Sequence, residues 1–218
     1  MKLVLLSDTH GQHENVAVPD GDILIHAGDL SLRGTEKELT PFMDWFGALP
    51  HSYKILIAGN HDFLAEKDPK AFQALLPPNV IYLNDSGCEI EGIKIWGSPI
   101  QPWFHDWAFN RMRGDAIQPH WDLIPMDTDI LITHGPPFGT LDRTTSGNHV
   151  GCEVLAEKLA AIQPKLHVFG HIHESHGLIE KNGTVFVNAS VLNFHYQNRW
   201  QPFEIDWEEI INSPTSTN

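Results

Sequence analysis

Short apolar runs of strand length recur along the whole chain and constrain its fold more than any other feature. They lie at residues 2–6, 22–27, 54–58, 80–83, 92–96, 129–133, 165–169, 184–187 and 202–206. Several are continuous stretches of valine, isoleucine and leucine, a pattern typical of strands that are covered on both faces. Helical spacing appears between some of them, at 36–49, 69–76 and 151–162. The sequence therefore predicts a layered α/β fold, with two sheets packed together and helices outside.

The length of 218 residues indicates one domain, or two small ones at most. No Pro/Gly/Ser-rich linker divides the chain, so we predict a single domain over 1–212. The stretch 99–127 is irregular and rich in aromatic residues, which predicts a long functional loop or a pair of short helices. The polar residues 213–218 are predicted to form a disordered tail.

The charge balance limits the partners of the chain. Fourteen basic residues face 28 acidic ones, a net charge of −14 at pH 7. Without a local basic patch, such a surface repels duplex nucleic acid and anionic membranes. No apolar run approaches the ~18 residues that a membrane span needs. The opening residues are too short for a signal segment, and Cys88 and Cys152 are interpreted as free thiols in a reducing compartment, so we expect a cytoplasmic protein.

Fourteen histidines are many for this length, and several follow the apolar runs. Five runs end in side chains that can bind a metal ion: Asp8 and His10, then Asp29, then Asn60, His61 and Asp62, then His134, and finally His171 and His173. In open α/β sheets, ligands bind at the carboxyl ends of the strands. All five blocks are therefore expected to converge on one rim.

The spacing within these blocks supports a metal site. Asp8 and His10 are two residues apart, as are His171 and His173, and side chains at this spacing point the same way in extended backbone. A single histidine at a strand end is usually only the polar start of a loop, but five ordered blocks favour a metal centre. Imidazole, carboxylate and amide donors without thiolate suit manganese best here, with iron, zinc or nickel as alternatives.

The order of the blocks resembles the signature of the calcineurin-like metallophosphoesterase superfamily, D-x-H, G-D, G-N-H-D/E, H and G-H-x-H. This resemblance implies a four-layer α-β-β-α sandwich, in which two packed mixed β-sheets are flanked by helices. It also implies two divalent metal ions. One would take Asp8, His10, Asp29 and His173, and the other would take Asp29, Asn60, His134 and His171, with Asp29 bridging the two.

Four longer segments are similar to a narrower group, the metallophosphoesterase-domain-containing proteins, which are class III cyclic nucleotide phosphodiesterase-like. They are HAGDLSLRGT, GSPIQPWFHDWAFN, THGPPFG and PKLHVFGHIHE. This similarity implies a phosphodiesterase of small nucleotides, cyclic ones in particular, that uses in-line attack by a metal-bridging hydroxide. The alternatives are a phosphomonoesterase or protein phosphatase with the same centre and, in another class, a non-catalytic metal-binding scaffold.

The remaining candidates concern catalysis and substrate contact. His61 is expected to donate a proton to the leaving group, while Asp62 either orients that imidazole or caps the following turn. The aromatic residues of the irregular stretch either stack on a nucleobase or form a satellite core: Trp103, Phe104, Trp107 and Phe109. Further candidate substrate contacts, each equally consistent with a surface role, are Asn110, Arg111, Arg143 and His149.

Overall fold

The computed structural model describes residues 1–212, and the tail predicted at 213–218 lies outside them. The strands in chain order are β1 (Lys2–Leu6), β2 (Ile23–His26), β3 (Tyr53–Leu56), β4 (Val80–Tyr82), β5 (Ser86–Ile90), β6 (Ile93–Ser98), β7 (Gln101–Pro102), β8 (Asn110–Arg111), β9 (Ile130–Thr133), β10 (Leu166–Phe169), β11 (Gly177–Lys181), β12 (Thr184–Asn188) and β13 (Phe203–Asp206). The α-helices are α1 (Glu36–Ala48), α2 (Phe63–Lys67), α3 (Pro69–Leu75), α4 (Gln118–Asp122), α5 (Glu153–Ile162) and α6 (Trp207–Asn212).

Two mixed sheets form the centre of the fold. The first has the strand order β13-β1-β2-β3-β4, in which β1 to β4 are parallel and β13 is antiparallel to β1. The second has the order β11-β12-β10-β9-β6-β5, with parallel strands in the middle and an antiparallel strand at each edge. The predicted fold class, two packed mixed sheets flanked by helices, is confirmed.

The continuous apolar sequence of β1 shows why the layers stack as they do. Leu3 and Leu5 join the core between the two sheets, whereas Val4 and Leu6 face the opposite way, into the core beneath the helices. All four side chains are fully buried. Burying one such aliphatic side chain contributes about 1.5–3 kcal/mol, so covering both faces of β1 stabilises the sandwich substantially.

The outer layers are helical. On the first sheet, the ring of His26 in β2 contacts Phe42 and Phe46 of α1, at centroid distances of 5.1 and 6.2 Å. Beside the second sheet, Leu159 of α5 and Phe186 of β12 line one shared cleft. A capping box between Thr35 and Glu38 starts α1. No helix within 1–212 is both long enough and apolar enough to cross a bilayer.

The apolar pattern of the sequence predicts the secondary structure least well at the edge strands and in the irregular stretch 99–127. The edge strands β5 and β11 were not among the apolar runs, because their sequences SGCEI and GLIEK are half exposed and carry charges. The irregular stretch contains two two-residue strands, β7 and β8, which pair with each other, and the short helix α4. Both cysteines are free thiols, as predicted.

Candidate metal centre

The parallel strands of both sheets end at one common rim, and contacts between their terminal loops join the sheets there. Ser7, after β1, forms an isolated parallel bridge with Ser190, after β12. The ring Nδ1 of His134, after β9, lies 2.9 Å from the carbonyl oxygen of Ala27, after β2. The backbone N–H of His171 donates to both carboxylate oxygens of Asp8, at 3.1 and 3.0 Å. The five predicted blocks therefore meet.

A first group of potential ligands consists of Asp8, His10 and His173, whose ligand atoms all lie within 4.8 Å of one another. The two Nε2 atoms of His10 and His173 are 3.3 Å apart. Asp8 Oδ1 lies 3.8 Å from His10 Nε2 and 3.5 Å from His173 Nε2. Two ring nitrogens and a carboxylate oxygen facing one point are the donors that a divalent transition metal takes.

A second group consists of Asp29, His134 and His171, within the same 4.8 Å limit. Asn60 joins it, because its Oδ1 lies 2.9 Å from His134 Nε2. Asp29 Oδ2 is 3.2 Å from His134 Nε2 and 3.5 Å from the Nε2 of His10, which belongs to the first group. Asp29 thus lies between the two groups, in the position of the predicted bridging carboxylate.

Backbone carbonyl groups orient the imidazole ligands. The Nδ1 of His10 lies 3.2 Å from the carbonyl oxygen of Ser31, and the Nδ1 of His173 lies 3.1 Å from that of Asn193. A carbonyl can only accept, so each Nδ1–H donates and leaves Nε2 as the metal-binding nitrogen. Together with the His134 contact to a carbonyl, these bonds fix the tautomer that metal ligation requires.

Four of the ligands adopt left-handed backbone conformations that residues other than glycine rarely adopt. The φ angles are 56° for Asp8, 43° for His10, 56° for Asp29 and 67° for His171. Such conformations cost of order 1–3 kcal/mol each and persist only where the surroundings enforce them. Their concentration at this rim marks it as a functional site.

The site is buried, and its carboxylates have no basic partner except histidine. Asp8 is fully buried and Asp29 is 2% exposed. Within the described chain, the ion pairs of these two carboxylates are all with imidazoles, and none is with lysine or arginine. Buried charges of this kind need a cation beside them. The donor types and the charge therefore fit two divalent metal ions.

The pKa values reflect the same balance. Burial alone would raise the pKa of Asp29, but the charges of His134, His61 and His10 outweigh it and hold that pKa below its usual value. Burial opposes protonation of His134, yet the adjacent Asp29 carboxylate raises its pKa to about 9. Burial lowers the pKa of His171 to about 3, so this ring is neutral and ready to bind a metal.

Metal affinity is consequently expected to rise with pH between about 6.5 and 9. In the metal-free protein, the raised pKa of His134 keeps this ring protonated below about 9, and a metal ion must displace that proton. The stabilising contact of the protonated ring with Asp29 is complete below pH 6.5 and is lost as the pH rises through 9. Calorimetric titration with zinc in two buffers of different ionisation enthalpy measures the proton release. Equal zinc affinity at pH 6.5 and 8.5 would contradict the raised pKa of His134.

Two glycines let the ligand loops approach closely. A Cβ atom on Gly59 would lie 2.2 Å from Asp29 Oδ1, and one on Gly170 would lie 2.0 Å from Asp8 Oδ2. Real Cβ atoms essentially never come so near another heavy atom. Only glycine, which has no Cβ, permits this close approach at the two positions.

Gly170→Ala is expected to lower the metal content from two ions per chain to one. The new methyl group would collide with the Asp8 carboxylate and displace it from the first ligand group, while the second group keeps its ligands. Metal analysis of the purified variant measures the content. Gly177→Ala is the matched control, since its Cβ would meet nothing nearer than 3.5 Å. If Gly170→Ala kept two metal ions per chain, the Asp8 carboxylate would not be needed for metal binding.

His61 lies beside both groups, and two contacts hold its ring. Its Nδ1 is 2.7 Å from the carbonyl oxygen of Leu32, and the ring stacks on Trp107 at a centroid distance of 4.2 Å. The His10 ring approaches it edge-on at 4.6 Å. Nδ1–H therefore donates to the carbonyl, and Nε2 remains for another partner.

Asp62 has neither of the contacts predicted for it. Its carboxylate accepts hydrogen bonds from the backbone N–H groups of Leu30, Ser31 and Gly59, at 2.8 to 3.1 Å. The Ser31 hydroxyl also donates to it at 2.8 Å. It stands at the N-cap position of α2 without a capping bond, and His61 is oriented by a carbonyl instead. Both predicted contacts were wrong, because this buried carboxylate joins the loops after β2 and β3.

An open cavity of about 250 Å³ lies over the ligands. This volume is close to the lower end of the range for small-molecule sites, roughly 300–1,000 Å³. We call it the metal cavity, and its walls are the ligands Asp29, Asn60, His171 and His173 together with His61, Phe104, Trp107, Glu174, Phe194 and Tyr196. Of the predicted aromatic contacts, Phe104 and Trp107 line it. Phe109 is 3% exposed and belongs to the core, so for this ring the satellite-core alternative is correct.

The predicted polar contacts are engaged elsewhere. Arg111 donates to His120 at 3.1 Å and to Glu66 at 3.3 Å, and Asn110 donates to the carbonyl oxygens of Phe104 and His105. Neither side chain lines the metal cavity. Their predicted direct role is corrected: Asn110 holds the loop that carries Phe104, and Arg111 pairs with Glu66, 45 residues away.

Arg143 and His149 pair with each other beside the site. The Arg143 guanidinium lies 3.3 Å from His149 Nε2, and His149 Nδ1 lies 2.6 Å from Asp142. Neither residue lines the metal cavity, and Trp103 lines a neighbouring chamber instead. The structure thus brings the seven predicted ligands and His61 together, but not these outer candidates.

Sequence reasoning missed three walls of the cavity: Glu174, Phe194 and Tyr196. The Tyr196 ring lies 4.8 Å from His10 and 5.2 Å from His173, so it covers the first ligand group. Burial, together with the charges of Asp29 and Asp8, raises the pKa of its hydroxyl. The signal in the sequence was only the cluster of aromatics at 194–196, which no motif connected with the metal ligands.

Comparisons with known proteins agree with this geometry. The profile of the calcineurin-like phosphoesterase family matches residues 1–175. The human protein named Metallophosphoesterase domain-containing protein 1 is 44% identical over 237 residues, which cover 97% of this chain and 72% of that protein. UPF0046 protein K07C11.7 of Caenorhabditis elegans is 39% identical, with 93% and 73% covered. The crystal structure of TT1561 of Thermus thermophilus has a similar fold, with a TM-score of 0.60 at 14% identity over 86% of this chain and 88% of that one.

Proposed function

Since the chain belongs to the calcineurin-like phosphoesterase family, we propose that it is a two-metal phosphodiesterase that hydrolyses small nucleotides, cyclic nucleotides in particular. The family is one of hydrolases that act on phosphoesters. The observation that carries the proposal is the convergence of the seven candidate ligand side chains and His61 beneath one open cavity, which is lined by Asp29, Asn60, His61, His171 and His173.

Each part of the site has a role in this reaction. Two divalent ions, with manganese as our first choice, would supply Lewis acidity toward the phosphoryl oxygens and an activated water as nucleophile. Asp29 holds the two ligand groups together, and its Oδ1 accepts the backbone N–H of His61 at 2.8 Å. This bond sets the position of His61 relative to both groups.

His61 is the proton donor in this proposal. Its Nδ1 is held by the Leu32 carbonyl, so Nε2–H of the imidazolium is the group that faces the cavity. As the P–O bond breaks and its electron pair goes to the leaving oxygen, Nε2 gives that oxygen its proton. A positioned acid is needed most when the leaving group is a poor one, such as the alkoxide of a ribose.

Trp107 is a positioning residue for this acid, and Trp107→Ala is expected to lower kcat about 10-fold with little change in KM. The reason is the 4.2 Å stack that restricts the His61 ring. Trp107→Phe should retain most of the activity. The decisive comparison is the double variant, because Trp107→Ala should cost nothing further once His61 is alanine. Additive losses in the double variant would mean that Trp107 acts independently of His61.

The size and charge of the protein favour small substrates. The net charge of −14 opposes the approach of long polyanions, whereas a cyclic nucleotide carries a single negative charge that the bound cations attract. The metal cavity, about 250 Å³ in volume, has room for a small phosphoester. Duplex nucleic acid and membrane surfaces are therefore not the proposed partners.

The test compares diesters with a monoester. Metal-stripped protein is titrated with manganese and assayed with 2′,3′-cyclic AMP, 3′,5′-cyclic AMP, bis-p-nitrophenyl phosphate and p-nitrophenyl phosphate. We expect manganese-dependent turnover that is faster for the diesters. Asp44→Ala serves as a control, because Asp44 is exposed on α1, away from the rim.

Two results would overturn the proposal in different ways. Faster turnover of p-nitrophenyl phosphate would make the protein a phosphomonoesterase that uses the same centre. No turnover of any substrate, despite binding of two manganese ions, would make it a metal-binding scaffold.

A further inference from the structure

A second chamber opens beside the metal cavity. It is bounded by Pro102, Trp103, Phe104, Pro136, Ile172 and Glu174, and we call it the side chamber. It has a volume of about 280 Å³. Phe104, Glu174 and the metal ligand His171 line both spaces, so a molecule held at the metals can extend directly into the side chamber.

The aromatic rings of Trp103 and Phe104 at the opening of the side chamber are exposed, and hydrogen bonds hold the backbone that carries them. Trp103 is 53% exposed and Phe104 is 51% exposed, which is unusual for such large apolar side chains. Their backbone is nevertheless fixed, because the N–H of Trp103 donates to the carbonyl oxygen of Arg111 at 2.7 Å. The Asn110 side chain also donates to the Phe104 carbonyl at 3.2 Å. Fixed, exposed rings are suited to stacking on a flat ligand.

The charged groups of the side chamber select against anions. Arg113 is committed elsewhere: its guanidinium donates to the carbonyl oxygens of Val150 and Gly151 and pairs with Glu153 at 2.6 Å. Glu174 accepts a hydrogen bond from the backbone N–H of Thr145 at 2.7 Å. A carboxylate oxygen has further capacity to accept, so Glu174 favours hydrogen-bond donors and repels a second phosphate.

We infer that the side chamber binds the nucleobase of the substrate, stacked on Trp103 and Phe104 with its amino edge toward Glu174. A purine base is flat and uncharged, and it carries hydrogen-bond donors, which are the properties that these walls select. The inference rests on the proposed function and extends it, since it makes a base-bearing phosphoester the preferred substrate. The phosphate is held at the metal cavity, and the base is recognised on the His171 side of it.

The first experiment needs neither metal nor turnover. Adenosine, which has no phosphate, is titrated into metal-stripped protein while tryptophan fluorescence and heat are recorded. We expect saturable binding that Trp103→Ala weakens about 10-fold, the scale of one base–aromatic stack. Asp44→Ala, on the exposed face of α1, should bind adenosine as the unmodified chain does.

A second arm tests Glu174. Purine riboside lacks the exocyclic amino group of adenosine, so it should bind less tightly to the unmodified chain. Glu174→Gln should remove most of this difference and leave the affinity for purine riboside unchanged. If Glu174→Gln left the difference intact, the orientation of the base would be wrong.

The kinetic arm separates this inference from the proposed function. Thymidine 5′-p-nitrophenyl phosphate and methyl p-nitrophenyl phosphate share a leaving group, and only the first carries a base. Trp103→Ala should lower the ratio of their kcat/KM values about 10-fold and leave the methyl ester unaffected. Turnover of both esters with an unchanged ratio and no adenosine binding would overturn the side chamber and leave the phosphodiesterase intact. Adenosine binding without turnover of either ester would leave the side chamber intact and overturn the phosphodiesterase.

Discussion

Asp29→Asn is expected to lower the turnover of phosphodiesters by at least about 1,000-fold, which corresponds to about 4 kcal/mol of transition-state stabilisation. Asp29 Oδ2 lies within 3.5 Å of one imidazole in each ligand group. An amide in its place carries no charge, so its oxygen is a much weaker ligand for two cations than the carboxylate is. Loss of this residue therefore affects both metal sites at once.

The measurement is kcat/KM for bis-p-nitrophenyl phosphate with the metal content determined on the same sample. Asp44→Asn is the control, because it makes the same chemical change on the exposed face of α1. A variant at position 29 that kept two metal ions and more than a tenth of the activity would exclude the bridging role.

His61→Ala is expected to lower kcat by about 100- to 10,000-fold for esters with poor leaving groups, the range that general acid catalysis contributes. The loss should be much smaller for p-nitrophenyl esters, whose leaving group needs no proton. The reason is that the Leu32 carbonyl fixes Nδ1 of His61 and that the ring lines the metal cavity.

Kinetics with thymidine 5′-phenyl and thymidine 5′-p-nitrophenyl phosphates test this directly. Two bound manganese ions in the variant would establish that the loss is chemical and does not arise from metal loss. An equal loss with both leaving groups would contradict the role of His61 as the acid.

The ligand set could be predicted from the sequence because each ligand follows its strand within a few residues. The parallel arrangement of β1, β2, β3, β9 and β10 then places the ends of these strands at one rim. Continuous apolar runs identify such buried parallel strands, and the polar residue that ends each run identifies the ligand. Local sequence thus carries both the fold class and the metal-binding residues.

The roles of Asp62 and Arg111 could not be predicted in the same way. The carboxylate of Asp62 is used by the loop at Leu30 and Ser31, and Arg111 pairs with Glu66, 45 residues away. Such partners are chosen by tertiary packing, and nothing near these residues in the sequence indicates them. For this reason the predicted substrate contact of Arg111 and both predicted contacts of Asp62 were wrong.

The position of the Tyr196 ring over the metal ligands also depends on residues that are distant in the sequence. The Asn193 side chain accepts the backbone N–H groups of His195 and Gln197 and so shapes the turn, while its carbonyl accepts from His173 Nδ1. The ring of Tyr196 is placed over the metal ligands by this combination. The turn lies between the apolar runs at 184–187 and 202–206 and belongs to neither, so the apolar pattern offered no means of connecting the turn with the site.

The most direct test of the two-metal phosphodiesterase is turnover of 2′,3′-cyclic AMP measured against the number of manganese ions bound per chain. Metal-stripped protein is loaded stepwise, and bound metal and rate are determined on the same samples. We predict that the rate stays low through the first equivalent, rises as the second binds and then levels off. Full turnover by metal-free protein, or a maximum at one ion per chain, would contradict the account.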